Sequence, residues 1–184
     1  MSLMIQNFVL FQLGWFACVL GGANADYAWL GSLIVVAIIV VHLIRALRPA
    51  DELMLVIACS LIGTFWDSAL TLAGLYQFNA GVLINGMAPH WLIAMWALFA
   101  TTLNVSMKWM HERYLLAAVF GGLGGPLAYF AGHKLGAVDF NPPLITLVII
   151  GIGWSLIMPL LVYLTRFFNG YQSVPANALK AEIS

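Results

Sequence analysis

Apolar residues run through this chain in six long blocks, separated by short polar breaks. The blocks cover approximately residues 7–24, 27–45, 52–75, 90–109, 114–133 and 142–166. A helix of about 20 apolar residues crosses the hydrocarbon core of a bilayer. The pattern therefore predicts an all-α membrane protein, a bundle of six transmembrane helices in one polytopic domain over residues 1–184. The second block, Tyr27 to Arg45, is nearly pure Val, Ile and Leu and is expected to face lipid. His42 lies near its end and is expected at the interface beside Arg45 and Arg48. The break RALRPADE reads as a polar turn: Pro49 cannot continue a helix, and acids such as Asp51 suit the dipole at the start of the next one.

The breaks also differ in charge. The link from Tyr76 to Pro89 has no Lys or Arg but holds the turn formers Gln77, Asn79, Gly81, Asn85, Gly86 and Pro89. The next link carries Lys108, His111, Glu112 and Arg113, and the one after it His133, Lys134, Asp139 and Pro142-Pro143. A polar tail with Lys180 and Glu182 follows Arg166 and is expected to be frayed or helical at the interface. With the N-terminus in the cytoplasm, six basic residues fall inside (Arg45, Arg48, Lys108, Arg113, Arg166 and Lys180) and only Lys134 outside. This positive-inside bias predicts both termini in the cytoplasm. Ala23-Asn24-Ala25 has the look of a signal-peptide cleavage site, but the leading MSLMIQN lacks the Lys or Arg of a signal's first region, so the block is expected to be a span.

Composition agrees with the blocks. The chain is 63% hydrophobic and 8% charged, against about 25% charged for a soluble domain. Its net charge is zero, so it has no basic patch for nucleic acid. Cys18 and Cys59 lie in apolar runs and read as small core residues, and no cysteine spacing suits a metal. No cofactor is implied.

Against this background one polar residue stands out. Asp67 sits deep in the third block, within GTFWDSALTLAG (Gly63 to Gly74), where no other acid is expected. A carboxylate near the centre of a bilayer costs roughly 2.5–3.5 kcal/mol, so it has partners or a use. At about 1.5 Å per residue, Asp67 lies roughly 22 Å from the cytoplasmic end of its helix, in the outer half, and Tyr129 reaches a similar height. His90 opens the fourth block at the outer boundary and His133 closes the fifth there. If the helices are neighbours, Asp67, His90, Tyr129 and His133 are the candidate catalytic set: an acid, two imidazoles and a phenol around one pocket. The alternative disperses them, with both histidines hydrated, Tyr129 in the aromatic belt and Asp67 bonded to a neighbouring backbone.

Four more residues are candidates for the lining. Trp66 projects about 100° around the helix from Asp67 and walls the same pocket or faces lipid. Trp91 belongs to the outer boundary. Asn104, with Thr101 on its face, is either part of a polar path or glue between helices. Pro126 follows Gly121, Gly122, Gly124 and Gly125 and removes a backbone donor, while Gly121-x-x-x-Gly125 is the small-residue spacing of close helix packing. Trp15, Trp96 and Trp154 lie deep, where a ring N–H needs a partner, so they are expected to face the interior. A shift of 58 positions aligns Gly63, Ala73, Gly74 and Trp96 with Gly121, Ala131, Gly132 and Trp154; in so apolar a chain these identities carry no argument.

FWDSAL with Gly74 and Phe78, then Pro89-x-Trp91-Leu92 on to Trp96, Phe99-Ala100 and Ser106, and above all GGLGGPLAYFAGHKLGA (Gly121 to Ala137), resemble a family of bacterial inner-membrane proteins classed as a domain of unknown function. The resemblance spans most of the chain. It implies a multi-pass protein of the bacterial cytoplasmic membrane. Its members' genes often neighbour those of proteins similar to cyclopropane-fatty-acid synthases and flavin amine oxidases, which implies a setting of lipid modification or envelope stress. It names no catalytic residue.

Three functions remain. A lipid-linked protein would bind, modify or present a membrane lipid in an outer-leaflet pocket around Asp67. A small proton-coupled transporter would place Asp67 and Asn104 on one polar path, with a homo-oligomer or a membrane partner for bulk. A structural or assembly subunit would satisfy Asp67 within the bundle and have no site. There is no HExxH, no serine-nucleophile elbow and no clustered His/Asp ligands, which argues against zinc-protease and serine-hydrolase chemistry. Whether the protein is an enzyme is left open.

Overall fold

A computed structural model describes residues 2–172. The tail with Lys180 and Glu182 lies outside them. Among the described residues there are six α-helices: α1 (Leu3–Gly22), α2 (Ala28–Arg45), α3 (Pro49–Leu72), α4 (His90–Leu103), α5 (Tyr114–Lys134) and α6 (Pro143–Leu164). Ser2 caps the start of α1, and Pro49 and Pro143 occupy the first positions of α3 and α6, where a missing N–H costs nothing. All except α4 are long and apolar enough to cross a membrane, and their outer faces carry large apolar side chains such as Leu33, Phe65, Leu115 and Leu156.

The fourth block ends earlier than its hydropathy predicts. With 14 residues, α4 stops at Leu103 rather than near residue 109, and it is roughly 21 Å long. Its last turn explains the stop. Thr101 and Thr102 donate their hydroxyls to the carbonyls of Leu98 and Phe99 three residues back, and Asn104 turns its side chain away from the helix. Such side chains compete with the helical ladder. Turns and a short 3₁₀ segment, Lys108–Met110, complete the link.

The helices form two units. In the first, α1 packs on α2 and α4, α2 on α4, and α3 on α4; in the second, α5 packs on α6 as a hairpin. Gly121 and Gly125 permit the hairpin's close approach, because a β-carbon at either would meet Trp154 of α6. Strand β1 (Tyr76–Phe78), after α3, pairs antiparallel with β2 (Val138–Phe140), after α5, with Tyr76 opposite Phe140 and Phe78 opposite Val138. Alternation turns Tyr76, Val138 and Phe140 inward and leaves Gln77 and Asp139 outside. This ribbon joins the units at one end. In the core they meet at Trp96 and Trp154, which stack at 4.7 Å. Trp96 lies on Gly63 of its own hairpin, at the place where Trp154 lies on Gly121 and Gly125.

Candidate functional site

The α3 face that turns inward carries Glu52, Leu55, Val56, Cys59, Gly63, Asp67 and Leu70, the three-and-four spacing of one helical stripe. Asp67 is completely buried. Its Oδ2 accepts the ring N–H of Trp96 at 2.6 Å and its Oδ1 accepts the hydroxyl of Tyr129 at 2.7 Å. Hydrogen bonds to a carboxylate are short and strong. The carboxyl thus draws together α3, α4 and α5. Rings of Tyr76 and Trp154 flank Tyr129, at 5.7 and 6.4 Å. Burial, and then the Asp67 carboxylate, push the Tyr76 phenol well above its usual range. Thr71 donates to the backbone carbonyl of Asp67, while Ser68 accepts the Ala88 N–H, so neither reaches the carboxyl.

Of the four residues expected around one pocket, the structure brings two together. Asp67 and Tyr129 are bonded. His90 instead accepts or donates through Nδ1 to Ser32 at 2.8 Å and stacks on Trp29. His133 bonds the Val138 carbonyl at 2.9 Å and lies 3.3 Å from Asp139. Neither imidazole is aimed at Asp67: the Ser32 hydroxyl holds His90, and the Val138 backbone carbonyl holds His133. Trp66 lies against Gly153 of α6, where a β-carbon would overlap its ring. Trp91 donates its ring N–H to the Ala80 carbonyl. Pro126 sits within α5, next to Gly151.

The cavity is on the other side of the rings that Asp67 holds. A slot of about 260 Å³ lies between the two helical units. Its wall is Phe8, Phe11, Trp15 and Val19 of α1, residues of α4 from Trp91 to Phe99, residues of α5 from Phe120 to Gly132, and Trp154 and Met158 of α6. Along α1 and α5 it runs roughly 17 Å, a little more than half of a bilayer's ~30 Å core. It is almost wholly apolar. It opens where α1 and α5 face each other, and the rim residues Phe8, Phe120 and Ala128 are exposed there. Asp67 does not line it. Its two oxygens are taken by Trp96 and Tyr129, whose rings form the wall, so the pocket around Asp67 becomes an aromatic slot with Asp67 behind it. Trp91 and Tyr129 line the slot; Trp66, Asn104, Pro126, His90 and His133 do not.

A second buried acid corrects the view that Asp67 is alone. Glu52 is also completely buried. Its Oε1 accepts from Asn104 Nδ2 at 2.6 Å and from the Gly170 N–H at 2.8 Å, and its Oε2 meets His42 Nε2 at 2.7 Å. Asn104 also donates to the Phe168 carbonyl. Tyr171 donates to the His42 carbonyl at 2.8 Å. His42 is therefore buried and paired, not interfacial, and Asn104 is a fastening between helices. The signal was present: counting back from Asp67 along its stripe through Gly63, Cys59 and Val56 arrives at Glu52. Position at a block's edge hid it. Between the two acids the stripe is apolar, so α3 offers no polar path from Asp67 to Asn104.

A family model matches residues 4–160, and its description is Protein of unknown function (DUF2878). The chain belongs to this family. No curated protein and no solved structure matches it. Membership places most of the chain, including Asp67, Glu52 and the slot, in one shared domain without assigning it an activity.

Proposed function

We propose that this membrane protein holds the hydrocarbon chain of a bilayer lipid in the aromatic slot between α1 and α5. The observation that carries the reading is the slot's form: apolar, elongated to about one leaflet's depth, and open sideways between two helices whose outer faces are apolar. Pockets that bind small molecules are concave, mostly apolar and pre-formed. In this reading Asp67 is a positioning residue. It fixes Trp96 and Tyr129 as rigid parts of the wall and meets the lipid only through them. The protein lies in a bacterial inner membrane with both termini cytoplasmic, as the count of basic residues supports. The apolar stripe between Asp67 and Asn104 favours lipid binding over proton-coupled transport.

Gly124 supplies the test. It lines the slot, and a β-carbon there would meet only Phe120, at 3.9 Å. Gly124→Phe should fill the slot without disturbing the hairpin. Native mass spectrometry of protein extracted in mild detergent should find a lipid adduct on the wild type and lose it in Gly124→Phe, at unchanged thermal stability. No adduct on either, or the same adduct on both, sinks the reading.

A further inference from the structure

The two ends of the slot differ in charge. At one end the last lining residue of the α4–α5 link is Met107, and Lys108 follows it, exposed. Among the described residues no ion pair engages Lys108. Trp109 sets its ring edge-on to Phe120, a rim residue of the slot, at 6.1 Å. Arg113 and Arg166 are exposed at the same end of the bundle, with Glu112 the nearby acid. At the other end the lining residue is Val138, and the exposed side chain that follows it is Asp139, which lies 3.3 Å from His133. The cation at that end, Lys134, lies over the Phe130 ring at 5.3 Å.

We infer that the occupant is a lipid with an anionic headgroup, seated with its charge at Lys108 and its chain running along α5 toward Val138. The inference rests on the slot holding a lipid chain and adds the headgroup class and the direction. A tryptophan beside a lysine is the usual pairing at the membrane interface, where each basic residue attracts anionic lipid. The opposite end carries an acid as well as a cation, Asp139 and Lys134, so the orientation with the headgroup at Lys108 is favoured. The shared chemistry is a negative charge within reach of Lys108; a phosphodiester and a carboxylate both supply it.

Trp15, Trp91, Trp96 and Trp154 line the slot, so a chain brominated near its middle should quench their fluorescence. Purified, delipidated protein is titrated with brominated phosphatidylglycerol, phosphatidylcholine, free fatty acid and monoacylglycerol, for wild type, Lys108→Gln, Asp139→Asn and Gly124→Phe. The wild type should be half-quenched at about fivefold lower concentration by the anionic lipids than by the uncharged or zwitterionic ones. Lys108→Gln should remove that preference and leave quenching by monoacylglycerol unchanged, and Asp139→Asn should keep the preference for anions. Whether phosphatidylglycerol or fatty acid is favoured identifies the source of the charge. Equal quenching by all four lipids, or a preference that survives Lys108→Gln, overturns the headgroup inference and leaves the slot. Quenching unaffected by Gly124→Phe overturns the slot itself.

Discussion

Helix α3 buries two carboxyls on one stripe, Asp67 and Glu52, about 22 Å apart along its axis, and they are satisfied in different ways. Asp67 takes the polar tips of two aromatic rings, from α4 and α5. Glu52 takes an imidazole from α2, an amide at the end of α4 and a backbone N–H from the segment after α6. Each fastens the α5–α6 hairpin side to the rest of the bundle, at opposite levels. Aromatic donors are large, so the Asp67 site builds a wall, and the slot lies on its far side. Small donors and backbone make the Glu52 site a knot that ties chain segments together and leaves only a void of about 10 Å³ beside His42. A buried acid is thus no guide to a ligand site by itself; what its donors carry on their other side decides.

The comparison is open to direct attack. The largest effect is expected at Glu52. Glu52→Ala leaves His42, Asn104 and the Gly170 N–H without their acceptor, and orphaning three buried donors costs about 3–5 kcal/mol at about 1–3 kcal/mol each. Thermal unfolding in detergent should show it, and a loss below about 1 kcal/mol would refute the knot. Asp67→Ala orphans two donors and should cost about 3 kcal/mol. It should also weaken the lipid adduct, which Glu52→Gln, remote from the slot, should spare. Equal effects on the adduct would erase the distinction between wall and knot. The double variant Glu52→Gln/Asp67→Asn should be additive to within about 0.5 kcal/mol, since distant sites without shared partners rarely couple. A larger coupling would mean that the two sites act as one through α3.

The smallest effect is at Tyr171, at the edge of the knot. Burial, then Glu52, push its phenol up to about 12, with Arg45 opposing. A phenol whose value is raised on folding stabilises the folded chain below its unfolded value of about 10, and that contribution is lost as pH rises from about 10 through about 12. Ultraviolet titration of the wild type against Tyr171→Phe should remove one late-titrating phenol. A Tyr171 that ionises near 10 would loosen the knot from the picture.

Much of the fold is legible in the hydropathy blocks, and the reasons are local. Five of the six helices fall within a few residues of their blocks, because in a bilayer an apolar stretch has no other way to satisfy its backbone. The exception is α4, whose end is set by Thr101, Thr102 and Asn104, residues that average away in an apolar window. The Gly121-x-x-x-Gly125 spacing predicted close packing of its helix, and the structure supplies α6 as the partner. The need of a deep tryptophan for a partner was also readable, and Trp96 found Asp67. His90 and His133 were placed by height alone, which says nothing about direction around a helix; Ser32 and Val138 hold them elsewhere.

The sequence by itself determined that this is a membrane bundle, that Asp67 needs partners or a use, and which end of the molecule is basic, since each follows from composition and order along the chain. Only the tertiary structure decided that Glu52 is buried as deeply as Asp67, that Asp67 stands behind an aromatic wall, and that the slot opens between α1 and α5. Those facts depend on which helices are neighbours and on how far apart they stand, and pairings across 10 to 118 residues of chain leave no trace in a local pattern of apolar and polar positions.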